Sequence, residues 1–311
     1  MRTSSGTFID YEPMVCRLCG TTIEPDLAVL ERLPPKRVAG SRSDCIYRCA
    51  CGASYSNASR TGARVLITAS PELNVPQPVR RGVASILARA VNETNRANKL
   101  AKFCFETSED AVTWTVFNGL ETSRRLSAAI TNTPNAKPRM LLWGAPIVGE
   151  DADRVASELR SVCIGLGEDE RRLSEPDVIL VWDNLVIFVE AKYRSPNDRQ
   201  PHYRNFDLYV DDRGDLFAVP PRDVAAAGFY QLTRNWRIGI ELAERLNVRE
   251  FRLINLGGPA LTESASEFAA TIRQTHGRRA SHVGWGELLE GATPLEPWLA
   301  EYARAKRLEQ L

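Results

Sequence analysis

The stretch that decides the fold is Pro176-Asp-Val-Ile-Leu-Val-Trp-Asp-Asn-Leu-Val-Ile-Phe-Val-Glu-Ala-Lys192. Two runs dense in β-branched and large apolar residues, 177–182 and 185–192, are separated only by Asp183 and Asn184. Asp and Asn tolerate the positive φ angles of a type I′ turn. The two runs are therefore predicted to form a β-hairpin with a two-residue loop.

The turn also predicts the register of this hairpin. Trp182 should lie opposite Leu185, and counting away from the turn places Asp177 opposite Glu190. Residues directly opposite each other in antiparallel strands share a face, with Cβ atoms about 4.5 to 5.5 Å apart. Lys192 joins that face because side chains alternate with a period of two. We therefore expect two carboxylates and one ammonium group side by side.

Two opposed acids destabilise a sheet unless a positive charge neutralises them. The other face of the hairpin is wholly apolar and is predicted to pack on a helix layer, so the acids lie beside a core. Mg²⁺ would neutralise the pair, because it is commonly held by one or two carboxylates. With a metal there, Glu190→Gln is expected to keep or raise thermal stability, since it removes one of two like charges. The alternative is a structural site in which Lys192 or an arginine pairs with the acids.

Pro176-Asp177, followed after twelve residues by Glu190-Ala191-Lys192, resembles the PD-(D/E)XK nuclease superfamily. The resemblance implies a restriction-endonuclease-like fold in which Asp177 and Glu190 bind Mg²⁺ and Lys192 assists the attack of water on a phosphodiester. Glu24-Pro25-Asp26 is a decoy, because no strand with Glu-x-Lys follows it.

The same resemblance implies two further site residues. Members often carry an acid on the helix before the sheet, and Glu109 in Thr107-Ser-Glu-Asp110 matches it. An acid in a first helical turn also simply stabilises the helix. Some members carry Gln or Tyr on the helix after the motif, which indicates Gln231 and, less directly, Tyr230.

The remaining pattern predicts an α/β domain over residues 83–311, with helices flanking a mixed sheet. Helices are predicted over 82–104, from 107 or 108, over 151–166, 222–246 and 263–275, and through the tail from 285; further strands are predicted over 140–143 and 250–256. Residues 71–82, which contain three prolines, are predicted to be a linker. Residues 1–70 form a separate module.

This amino-terminal module concentrates five of the seven cysteines. Cys16-Arg-Leu-Cys19-Gly20 resembles the knuckle of a zinc ribbon, in which two thiolates bind one ion and the glycine permits a tight turn. Cys49-Ala-Cys51-Gly52 is a less regular second half, and Cys45 could replace either of its members. We expect Cys16, Cys19, Cys49 and Cys51 to bind a structural Zn²⁺ ion.

Composition limits the class of protein. The chain has 311 residues and a formal charge of +1, so only local basic surface could attract a polyanion. Arg194, Arg199 and Arg204, just after Lys192, could follow a nucleic-acid strand. No apolar run is long enough to cross a bilayer and the start lacks a leader pattern, so no membrane association and a cytoplasmic location are expected.

The function expected from the sequence is Mg²⁺-dependent hydrolysis of phosphodiester bonds, with DNA as the expected substrate, in restriction, defence or repair. The alternative is a catalytically inactive protein on the same fold that binds nucleic acid or docks to a partner. A homodimer or a partner protein is compatible with either function.

Overall fold

The computed structural model describes residues 12–26, 28–29, 42–55, 64–131, 137–200 and 205–311. By contacts the chain divides into two compact units. The first comprises Met1–Arg81 and Asn98–Ala111, and the second comprises Gly82–Ala97 and Val112–Leu311. The contact division thus groups residues 98–111 with the amino-terminal ones, whereas the sequence pattern assigned them to the domain 83–311.

The described residues of the first unit form five short strands in two small sheets. They are β1 (Met14–Val15), β2 (Thr22–Ile23), β3 (Tyr47–Arg48), β4 (Ala53–Tyr55) and β5 (Leu66–Thr68). β1 pairs with β2, and β3, β4 and β5 form an antiparallel sheet in that order. Among the residues described in these sheets few large apolar side chains are buried, and two of the cysteines belong to the same small core. Such a core supplies little folding energy by itself.

From residue 82 onwards the described chain contains eleven α-helices and six strands, and the helical residues within 98–111 belong to the first unit. The helices are α1 (Val83–Arg89), α2 (Arg96–Phe103), α3 (Glu109–Thr122), α4 (Leu126–Thr131), α5 (Ala152–Gly165), α6 (Asp207–Val210), α7 (Pro221–Ala227), α8 (Tyr230–Arg245), α9 (Thr262–Thr271), α10 (Trp285–Gly291) and α11 (Pro297–Lys306). The strands are β6 (Arg139–Leu142), β7 (Ala145–Val148), β8 (Val178–Val181), β9 (Leu185–Ala191), β10 (Glu250–Leu256) and β11 (Arg278–Val283).

The six strands form one mixed sheet in the order β11-β10-β9-β8-β6-β7. β10 runs parallel to both β9 and β11, and the other neighbouring pairs are antiparallel. In the hairpin Val181 lies opposite Val186 and Val178 lies opposite Val189, which confirms the predicted register. The fold class is therefore mixed α/β, as predicted.

Every residue of β8 and β9 is buried, because helices cover both faces of the central sheet. On one face the main core joins Ile179 and Phe188 to residues of α5 and α8, including Leu159 and Trp236. Helix α8 connects β9 to its parallel neighbour β10, as a crossover connection requires. This helix consequently lies over the face that carries Glu190.

Two predicted helices are wrong as continuous elements. The helix predicted over 82–104 is interrupted after Arg89, where the N–H of Val91 instead donates to the carbonyl of Trp143 at 3.1 Å. The helix predicted over 222–246 is split at Gly228, which adopts the left-handed conformation with φ of 76°. The edge strands β7 and β11 were not predicted, because neither shows a strong apolar alternation.

Within the described part of the chain, the structure contains no helix that combines the length and the apolar character needed to cross a membrane.

Candidate functional site

The carboxylate of Asp177 lies at the open end of the hairpin. Asp177 directly precedes β8, opposite Glu190 when the observed register is continued. Its Oδ2 accepts a hydrogen bond from the backbone N–H of Ala191 at 2.8 Å. This bond ties the first acid of the motif to the strand that carries the second.

Glu190 and Lys192 form a buried ion pair on the same strand face. Lys192 Nζ donates to Glu190 Oε1 at 2.7 Å, and the two residues are 6% and 2% exposed. The other oxygen of Glu190, Oε2, accepts from Asn235 Nδ2 at 2.8 Å. Both oxygens of this carboxylate are therefore held by donors, although each keeps a lone pair that a metal could use.

Helix α8 packs over the site and contributes polar side chains to it. Gln231 Oε1 accepts from Lys192 Nζ at 3.1 Å, so the structure brings Gln231 to the lysine of the motif. Asn235, one helical turn later, was not predicted. The signal was available, because positions four residues apart share a helix face and Asn235 is a polar residue at the buried position next to Gln231.

A second polar group extends the site onto β10. Asn255 is the register partner of Glu190 on the neighbouring parallel strand, and it is 3% exposed. Its Nδ2 donates to Asn197 Oδ1 at 2.8 Å, and Asn197 in turn donates to Ser264 Oγ at 2.9 Å. The carboxyl ends of parallel strands are where open α/β sheets bind ligands. No sequence pattern singled out Asn255.

The donor set fits Mg²⁺ by type. Asp177 and Glu190 offer carboxylate oxygens, and the buried Oδ1 atoms of Asn235 and Asn255 accept no hydrogen bond from the described residues. Oxygen donors of this kind suit a hard cation. No third ionisable ligand joins the two acids among the described residues, where the sole cluster of three or more is made of cysteines.

The other predicted site residues are placed differently. Glu109 begins α3 and belongs to the first unit, so its metal role stays a prediction. Tyr230 packs edge-to-face on Phe206 and Tyr209 in the core. Arg199, one of the arginines expected to follow a substrate strand, forms a salt bridge with Glu267. Arg194 is exposed, and Arg204 lies outside the described residues.

The amino-terminal cysteines form a second candidate centre. The sulfurs of Cys16, Cys19, Cys49 and Cys51 all lie within 4.8 Å of one another. Cys16 and Cys51 are 3.6 Å apart, and Cys19 and Cys49 are 3.5 Å apart. Tetrahedral zinc with Zn–S bonds of ~2.3 Å needs sulfurs about 3.8 Å apart. The four side chains can therefore hold a metal ion such as zinc.

Both halves of this centre are tight turns that end in glycine. The N–H of Gly20 donates to the carbonyl of Cys16 at 2.9 Å, and the N–H of Gly52 donates to that of Cys49 at 3.1 Å. Gly20 and Gly52 have φ of 75° and 97°, values that strain any residue with a side chain. One intervening residue in Cys49-Ala-Cys51 therefore suffices for a second knuckle.

The cysteine thiols differ in acidity. Burial raises the pKa of the Cys16 thiol, but hydrogen bonds from the Tyr55 hydroxyl and the backbone N–H groups of Leu18 and Cys19 bring it down to about 6. Such a thiol readily becomes the thiolate that binds metal.

The cluster of four sulfurs does not include that of Cys45, the alternative ligand considered from the sequence. Cys45 is fully buried in a separate small cluster with Ile67. Burial, with a smaller effect of Asp44, raises the pKa of its thiol to about 11. In the structure Cys45 is thus a core residue, and the four cysteines that cluster are Cys16, Cys19, Cys49 and Cys51.

Comparison of the chain with protein-family models, with curated proteins and with solved structures gives no match. Function is therefore inferred from the site itself.

Proposed function

We propose that this protein is a Mg²⁺-dependent nuclease that hydrolyses phosphodiester bonds, with DNA as the substrate we expect. The observation that carries the proposal is the side-by-side arrangement of Asp177, Glu190 and Lys192 at one end of the hairpin, closed by Gln231 from α8. We further propose that this sheet and its helices are a restriction-endonuclease-like fold.

Asp177 and Glu190 are the residues that would hold Mg²⁺, which when bound supplies Lewis-acid stabilisation of a phosphate oxygen and a more acidic water. Lys192 has its ammonium group fixed between Glu190 and Gln231. An ammonium fixed in this way can orient a water molecule or stabilise charge that develops on the phosphate. Asn235 orients the carboxylate of Glu190.

The four-cysteine centre serves this proposal as a structural Zn²⁺ site. A closed set of four thiolates leaves no position for substrate, so the ion would stabilise the first unit instead of acting in catalysis. Zinc ribbons can contact nucleic acid or proteins, and a nucleic-acid contact fits the proposed substrate.

The test is a cleavage panel of single-stranded and duplex DNA and RNA with Mg²⁺. Asp177→Asn is a sharp variant, because the amide oxygen can still accept from the N–H of Ala191 while the charge for a metal is lost. Lys192→Met removes the ammonium group. We expect cleavage by the wild type, and a loss of at least about 100-fold in both variants, with binding retained.

Matched controls remove the same groups elsewhere on the surface. Asp153→Asn and Lys137→Met change exposed residues and should cleave at the wild-type rate. A wild type that binds nucleic acid but cleaves none of the panel would overturn the nuclease proposal. That result would favour the inactive alternative, in which the buried Glu190–Lys192 pair is structural.

A further inference from the structure

Arg234 lies on the face of α8 that closes the candidate site. It stands three residues after Gln231 and one before Asn235, the two helix residues that contact Lys192 and Glu190. Residues three and four apart share a helix face. A guanidinium group is therefore presented at the same end of the sheet as the motif.

This guanidinium has unused hydrogen-bonding capacity. Its Nε is buried and has no hydrogen-bond partner among the described residues. An arginine keeps its charge at all physiological pH values, and leaving such a buried donor unpaired costs free energy. The guanidinium group of Arg234 can therefore donate a further hydrogen bond to an acceptor.

The nearby acids are already engaged by other donors. Glu190 accepts from Lys192 and Asn235. Glu168 accepts from the backbone N–H and the hydroxyl of Ser174, at 2.6 Å each, and from the hydroxyl of Tyr209 at 2.8 Å. Neither acid forms a hydrogen bond with Arg234 in the described structure.

An aromatic contact orients the guanidinium group of Arg234. The guanidinium carbon lies 5.6 Å from the ring centroid of Tyr230, and this aromatic contact limits its rotation. Burial alone lowers the pKa of Arg234, but Glu190, followed by Tyr209, Tyr230 and Glu168, raises it. Among the charged groups Glu190 raises this pKa most, in keeping with the position of Arg234 directly before Asn235, whose Nδ2 donates to Glu190.

We propose that Arg234 binds the non-bridging oxygens of the phosphodiester held at Asp177 and Glu190, as a substrate-contacting catalytic residue. This inference rests on the proposed nuclease function. The planar fork of a guanidinium matches two phosphate oxygens, and a phosphate supplies the acceptors that the described protein lacks at this position. The competing role is that of a counter-charge for Glu190 and Glu168.

The experiment separates these roles through the charge of one phosphate. A DNA oligonucleotide is first cleaved by the wild type with Mg²⁺, and the position of the cut is mapped. Binding is then measured with Ca²⁺ in place of Mg²⁺, for that oligonucleotide and for one with a neutral methylphosphonate at the mapped position. Arg234→Gln and Arg234→Lys are compared with Arg222→Gln, a control that changes an exposed arginine on α7.

Arg234→Gln should weaken binding of the native oligonucleotide by about tenfold to a hundredfold, as expected for a charged hydrogen bond. Binding of the methylphosphonate oligonucleotide should change by less than about threefold, because its contact with Arg234 is already weakened. Arg234→Lys should lie between Arg234→Gln and the wild type, since it keeps the charge and loses the fork. Arg222→Gln should bind both oligonucleotides with the affinity of the wild type.

Equal weakening on both oligonucleotides, or unchanged binding of the native one, would overturn the role of Arg234 while leaving the nuclease proposal intact. A wild type that cleaves no nucleic acid would overturn both. Thermal unfolding accompanies each variant. If Arg234→Gln does not fold, Arg234→Lys takes its place. Its loss of binding affinity must still be confined to the native oligonucleotide.

Discussion

At the scale of single residues, the structure changes the expected effect of removing the charge of Glu190. The hairpin register predicted an acid facing another acid, so loss of its charge was expected to keep or raise stability. In the structure Glu190 is 2% exposed and bonded to Lys192 and Asn235. A buried carboxylate with a charged partner stabilises the fold relative to either group left alone.

Glu190→Gln should therefore destabilise the metal-free protein. The change leaves the ammonium of Lys192 buried without its counter-charge, and a broken buried ion pair costs about 3 to 5 kcal/mol. Lys192→Met should cost a similar amount for the converse reason. The double variant Glu190→Gln/Lys192→Met should recover most of the loss, measured as the free energy of unfolding in urea.

The double variant is the internal control of this cycle. If its loss equals the sum of the two single losses, the residues do not interact and the ion pair contributes nothing. If Glu190→Gln alone raises stability, the original expectation from opposed acids is restored.

At the scale of elements, helix α8 positions the site through a close contact with β10. A Cβ atom added at Gly239 would lie 2.1 Å from Cε2 of Phe251 on β10. The helix can approach the sheet this closely only with hydrogen at that position. The same approach brings Gln231 and Asn235 within hydrogen-bond distance of Lys192 and Glu190.

Gly239→Ala should lower the stability of the protein by about 1 to 3 kcal/mol, because the methyl group overpacks the helix against the sheet. Gly165→Ala at the end of α5 is the matched control, since its nearest neighbour would be Arg245 Nη2 at 3.9 Å. That variant should be unchanged or slightly more stable. Thermal unfolding compares the two, and a wild-type midpoint for Gly239→Ala would show that α8 can shift away from β10.

At the scale of the whole molecule, we expect the first unit to depend for its stability on a metal ion held by the cysteine centre. Its buried core is small, and two of the four candidate ligands, Cys16 and Cys49, are part of it. Metal binding supplies folding free energy to such segments. The large sheet of the second unit carries none of the four ligands, so it provides an internal reference.

The purified protein should contain about one zinc ion per chain. A chelator should increase backbone hydrogen exchange in β1 to β4, while β8 to β10 keep their protection because a buried sheet opens only with its unit. Cys49→Ala should lose the metal and show the same exchange without chelator. Cys45→Ala, which removes a buried thiol outside the centre, should retain zinc, and zinc loss in this variant would return Cys45 to the ligand set.

Charge is also a property of the whole molecule. The 40 basic and 39 acidic residues nearly cancel, and many arginines are engaged by acids, as Arg213 is by Asp215, Glu241 and Glu244. Long-range attraction of a polyanion is therefore weak. Under the nuclease proposal, recognition of nucleic acid depends on local groups, among which we propose Arg234.

Features that depend on short-range rules were predictable without the structure. A two-residue turn and a period of two sufficed to predict the register that places Asp177 opposite Glu190, and glycines after paired cysteines indicated the four ligand positions. Tertiary packing brings in groups from distant segments, Asn235 from α8 and Asn255 from β10, and it buries Cys45 away from the other thiols. The rotation and closeness of a packed helix follow from contacts such as Gly239 on Phe251, between residues adjacent in space but not in sequence, and no local pattern encodes them.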